Sequence, residues 1–292
     1  MSRRFFHLIL LIWMLLIAGI LQAKPRIFVS ILPQRYFIQR IAPQQFDIDV
    51  MVTPGSNPAT YEPTPHQMAR LATASLYFSI GVPFEEVWLD RMQKANPQLH
   101  MVAMEASVPR RAMADAMELF DSAPHGDHHH EADDPHVWLN TQNVSIMAKT
   151  IAQELSARYP EKTAEYEANL AQFTRELSDL HTELSDKFSH LTQRRFLVFH
   201  PSWGYFASEF GLQQIPIEIQ GKEPTTREMV KIIDFARQHD IRVIFVQKQF
   251  SKAMAESVAQ SIAGSVVSID PLAEDFMTNL RQIGTIISQE LQ

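Results

Sequence analysis

The sequence predicts an α/β protein of two lobes, each a four-stranded, mostly parallel sheet flanked by helices, joined by one long rigid helix. Three observations carry this reading. Short β-branched runs alternate with helical stretches up to Asn140, as βαβ units require. A stretch free of proline and glycine then runs from Glu161 to Phe199. Beyond it the alternation resumes.

Residues 1–23 stand apart from the fold. Arg3 and Arg4 form a basic start, Leu8 to Leu21 is almost unbroken hydrocarbon, and Ala23 offers a small residue for cleavage before Lys24. That is the pattern of a secretory signal peptide. Its apolar run of about 14 residues is short of the roughly 20 that span a bilayer, so cleavage is expected rather than anchoring.

The first lobe is expected over residues 24–160. RIFVSIL (26–32) reads as a strand, followed by a helical segment near Tyr36 to Ile41. DIDVMV (47–52) is a second strand ending in the turn signal TPGSNP. His66 to Ala74 has helical period, and LYFSIG (76–81) and LHMVAM (99–104) are the third and fourth strands. A polar, low-complexity loop over 124–134 follows, then a helix from Val144 to Tyr159 closed by Pro160. In the spine, 161–193, Tyr166, Leu170, Phe173, Leu177, Leu180, Leu184, Phe188 and Leu191 recur at steps of three and four, which makes a single apolar stripe. Thirty helical residues would reach roughly 45 Å, the dimension of a domain. A coiled-coil dimer could use such a stripe, but the resumed alternation favours a spine between lobes. The second lobe, 194–292, holds the strands RRFLVFH (194–200), LQQIPIEI (212–219), IRVIFVQ (241–247) and SVVSID (265–270).

The chain has no cysteine. An exported protein of this kind has no disulfides and must rely on its core, and it has no thiol to carry a lipid. It is expected free in an extracytoplasmic space, most simply a bacterial periplasm, as a monomer. Beyond residue 23 there are 24 basic and 33 acidic residues, a net charge of −9. That balance disfavours nucleic acid and favours attraction of cations.

Histidine carries the chemical signal. Five of the twelve histidines, His125, His128, His129, His130 and His136, fall in APHGDHHHEADDPHVWLN, among Asp127, Glu131, Asp133 and Asp134. Neutral imidazole and carboxylate are the common ligands of zinc and similar metals. The stretch has two parts: the HGDHHH run reads as a mobile accessory, and DPHVWLN as ordered chain. His200 ends the strand FLVFH and Asp270 ends VVSID, each followed by proline. In parallel sheets ligands bind beyond the carboxyl ends of strands, so both residues stand at the edge where sites form. His136, His200 and Asp270 together make a first set of ligands for a divalent transition metal. Taken singly, each has a plainer role: a hydrogen-bonded or surface histidine, and for Asp270 an N-cap of the segment from Leu272.

Four ordered stretches, PGSNPATYEPTPHQMARLATASLYFSIG, DPHVWLN, VFHPSWGYFASEFGL and SIDPLAEDF, resemble the exported zinc- and manganese-binding solute receptors of bacterial ABC importers. The resemblance covers the chain from about residue 26 to its end. It implies a metal held in the cleft between lobes and delivered to a membrane permease, with no chemical turnover. It implies His136, His200 and Asp270 as ligands, and the histidine at 200 looks like the zinc branch rather than the manganese branch. Nitrogen donors also favour zinc over manganese. One position departs: where the family usually carries a ligating histidine after the proline, this chain has Pro58-Ala59. Water, Glu62, His66 or an imidazole of the loop could fill the fourth position, or the cargo could differ (manganese, iron or a chelated metal). Three ligands with an open position also suit a zinc hydrolase, but no HExxH motif or placed general base accompanies them.

Overall fold

The computed structural model describes residues 24–114, 133–219, 221–250 and 252–292. Residues 1–23, which the sequence marks as a signal peptide, and the run from His125 to His130 lie outside the described residues. The first half contains β1 (Arg26–Val29), α1 (Leu32–Ile41), β2 (Asp47–Val50), α2 (Pro65–Leu71), β3 (Leu76–Ser79), α3 (Pro83–Ala95) and β4 (His100–Ala103). Then come α4 (Thr141–Arg158), a 3-10 turn at Pro160–Lys162 and the long α5 (Thr163–Ser189). The second half contains β5 (Arg195–Val198), α6 (Gly204–Glu209), β6 (Gln213–Pro216), α7 (Thr226–Gln238), β7 (Val243–Gln247), α8 (Ala253–Ser261), β8 (Ser265–Ile269) and α9 (Phe276–Glu290).

Each sheet has four strands and every pairing is parallel, where the sequence predicted mostly parallel ones. The orders are β2-β1-β3-β4 and β6-β5-β7-β8, the same winding used twice. The order reverses between β1 and β3 and again between β5 and β7. A crevice therefore opens at the carboxyl ends of those strands. The regular strands span four or five residues, shorter than the hydrophobic runs that mark them; in the runs that end at His200 and Asp270 the last residues leave the ladder toward the crevice rim.

α5 is 27 residues long and begins after the 3-10 turn, so the regular spine is shorter than the predicted 161–193. Tyr166, Phe173, Leu177, Leu180, Leu184 and Phe188 are all buried, as the stripe requires. They pack against α1, α4 and α9. The C-terminal helix α9 thus returns to the first half: Phe276 meets Phe37 of α1 edge to face at 5.2 Å. At Gly284, α9 comes so close that a Cβ would lie 2.3 Å from Leu184 Cδ2. The second sheet divides its inward residues by alternation: Phe196 and Val198 join the core of the first lobe and spine, while Leu197 and Phe199 face a separate core with Ile215, Ile244 and Ile232. One continuous core through the spine leaves little freedom for the lobes to hinge.

Candidate metal centre

The Asp134-Pro135-His136 turn is built by a buried carboxylate. Asp134 is fully buried, and its Oδ1 accepts from His136 N at 3.0 Å and pairs with His136 Nδ1 at 2.8 Å. Its other oxygen faces Arg111 at 3.6 Å, and Asp134 N donates to Arg111 O at 2.9 Å. Burial lowers the pKa of His136, with Asp134 opposing the shift, so the ring is neutral at pH 7. With Nδ1–H given to Asp134, the lone pair on Nε2 is free for metal.

His200 is held the same way from the other lobe. Its Nδ1 pairs with Glu218 Oε2, and Glu218 N donates to Phe199 O at 3.0 Å. Sheet register explains the pair: Val198 stands opposite Pro216, so two residues further His200 stands beside Glu218. The ring stacks on Phe250 at 5.0 Å. The imidazoles of His136 and His200 face each other at 5.2 Å between centroids and 72° between planes. Trp138 Nε1 donates to Pro271 O at 2.8 Å, tying the two lobes beside this pair. Glu209 of α6 ties them again, accepting from Thr141 N of α4 at 2.9 Å and pairing with His181 Nδ1 of α5 at 2.8 Å.

A cavity of about 80 Å³ lies between the lobes, and its wall includes both histidines, Ala59, Met113, Gln247 and Phe250. Asp270 is outside it. It lines a neighbouring cavity of about 70 Å³ with Thr53 and Pro54, and the two spaces share Gln249 and Leu272. Asp270 Oδ1 accepts from Leu272 N at 2.9 Å, and Oδ2 faces Lys248 Nζ at 3.3 Å. It does not cap a helix; that role falls to Asp275, which accepts from Thr278 N at the start of α9. Among the described residues no three His, Asp or Glu side chains converge on one point. The structure thus brings His136 and His200 together and leaves Asp270 one cavity away.

The two candidates for a fourth ligand stand apart. Glu62 and His66 are exposed, neither lines either cavity, and His66 sits in the first turn of α2 behind its Thr64 cap. Ala59 N donates to Asn57 Oδ1 at 2.8 Å, which folds the PGSNPA segment onto the cavity rim. In the sequence the supporting carboxylate Glu218 is only a charged residue of the segment IEIQGKEP, with nothing to tie it to the metal. Its partnership with His200 could have been read from the strand offset, had the pairing of β5 with β6 been known.

Comparison with known proteins agrees with this fold. Residues 27–289 match the family ZnuA, described as zinc-uptake complex component A periplasmic. The chain is 27% identical over 252 residues to the high-affinity zinc uptake system protein ZnuA of Bacillus subtilis (strain 168), covering 85% of this chain and 79% of that one. A crystal structure of ZnuA superposes with a TM-score of 0.85 at 37% identity, covering 92% of this chain and 100% of that chain. A zinc-bound ZnuA deletion mutant superposes at 0.84 with 36% identity, covering 92% of this chain and 98% of that one. By a match across nearly its whole length, this chain belongs to the ZnuA family of periplasmic zinc-uptake components, receptors of transport and not enzymes.

Proposed function

We propose that the protein captures zinc between its lobes and hands it to the permease of an ABC importer. His136 and His200 bind through Nε2, and Asp270, which lines the adjoining cavity, moves in to supply a carboxylate oxygen. Water takes the position that Ala59 leaves open. The observation that carries this reading is the facing imidazole pair, each ring anchored at Nδ1 by a carboxylate, Asp134 buried and Glu218 partly so. Anchoring of that kind selects the tautomer and orientation of a metal ligand. Two nitrogen donors favour zinc over manganese. The protein acts as a monomer, exported by a cleaved signal peptide and without a lipid anchor; the chain's lack of cysteine supports the last point, although a streptococcal relative is a zinc-binding lipoprotein. The histidines at 125 and 128–130 gather zinc near the cleft.

The test is calorimetric titration of chelator-stripped protein with zinc and with manganese. Tight zinc binding that is lost in His200→Ala supports the reading, and absence of zinc binding in the unmodified protein sinks it. For the loop, deletion of residues 125–130 is expected to lower zinc stoichiometry and uptake at limiting zinc; unchanged values remove the collector role.

A further inference from the structure

The pairing of Asp270 points to a residue outside the ligand set. β7 and β8 run in parallel with Gln247 opposite Ile269. One step past the ladder, the same register sets Lys248 beside Asp270. The ammonium stands 3.3 Å from Oδ2 while the backbone of Leu272 occupies Oδ1. The two side chains differ in setting: Asp270 is 20% exposed and Lys248 65%. The carboxylate is fixed in the crevice, and the cation reaches it from solvent on a flexible stem. Gln249, the next residue of the same segment, lines both the histidine cavity and the cavity of Asp270.

We infer that Lys248 is a tethered competitor of the metal for Asp270, and so lowers the receptor's affinity. This rests on the reading of Asp270 as a zinc ligand. A carboxylate oxygen that coordinates a dication must give up its ammonium partner, and Lys248 can return to it when the metal leaves. Binding and release then become an exchange of one cation for another at Oδ2. The tethered positive charge stays near the crevice rim, so it weakens retention of zinc and lowers the barrier to handing it on. Exposed ion pairs are weak, so the effect is modest: removing the ammonium is expected to tighten zinc binding about two- to fivefold.

The experiment is a double-mutant cycle read by zinc titration against a competing chelator, with Lys248→Met, Asp270→Asn and the double variant. Lys248→Met is expected to bind zinc more tightly, Lys248→Arg to bind as the unmodified protein does, and Lys248→Met to give no gain in the Asp270→Asn background. The gain should also shrink as ionic strength rises, because an exposed charge is screened. Unchanged or weaker binding by Lys248→Met overturns the inference, and so does an equal gain with Asp270→Asn present, which would mark a general field effect. If Asp270→Asn alone leaves zinc affinity untouched while His200→Ala abolishes it, Asp270 is not a ligand and the inference falls, while zinc capture by the histidines stands.

Discussion

Glu218 is the sharpest test of how the site works, because it touches His200 and need not touch the metal. Its side chain is only 10% exposed and its Oε2 holds His200 Nδ1. Glu218→Gln keeps the shape and an acceptor oxygen but removes the charge. Glu218→Ala removes the acceptor and frees the ring to rotate. Loss of such an outer partner costs roughly 10–100-fold in metal affinity, or about 1.4–2.7 kcal/mol. The glutamine variant should fall near the tenfold end, since the ring stays oriented by the amide oxygen and by stacking on Phe250. The alanine variant should approach the hundredfold end. Zinc titration gives the affinities, and nitrogen NMR of the imidazole gives the tautomer, which should be Nδ1–H in the unmodified protein and mixed in the alanine variant. If both variants bind zinc as the unmodified protein does, the carboxylate is not what prepares His200, and anchoring at Nδ1 does not govern zinc capture.

The remaining predictions concern pH, the open position and packing. His136 has a lowered pKa through burial, so its neutral form persists below the ordinary histidine range; its own protonation should weaken zinc binding only below that range, as titration of imidazole signals across pH 4–8 will show. The sign for stability is the same: a depressed pKa contributes stability that is fully present above about 6.5 and lost as pH falls through the folded value, which thermal melts of metal-free protein can follow. Ala59→His places an imidazole on the cavity wall, and zinc affinity should rise at least about tenfold; no gain would mean that position 59 does not address the metal. At Gly204 a Cβ would lie 1.8 Å from Arg111 Nη1 and 2.6 Å from Asp134 Oδ2, so Gly204→Ala should cost about 1–3 kcal/mol in denaturant unfolding and weaken zinc binding through Asp134; a neutral outcome would deny that close contact.

Much of this architecture was legible in the sequence, for reasons that are local. Short runs rich in β-branched or aromatic residues marked the eight strands among the described residues, and the Tyr166-to-Phe188 stripe marked the buried face of the spine. Strand ends were readable at His200 and Asp270 because proline follows each and stops the ladder. Other features were hidden. The spine, read as 161–193, is longer than α5 at both ends: Glu161 and Lys162 belong to a 3-10 turn that apolar periodicity does not distinguish, and the helix stops at Ser189. The return of α9 to pack beside α1 was not readable, since an amphipathic pattern tells which face is buried but not against what.

The sequence by itself determined the fold class, the family resemblance and the residues able to bind metal, because side-chain chemistry and periodicity are properties of neighbours along the chain. Only the tertiary structure decided which of those residues meet. Strand order brought His136 and His200 face to face at the same crevice, and strand register gave His200 its Glu218 and Asp270 its Lys248. Register is set by packing between segments distant in sequence. No local pattern therefore reveals that one predicted ligand stands beside an imidazole partner while another stands beside a competing cation.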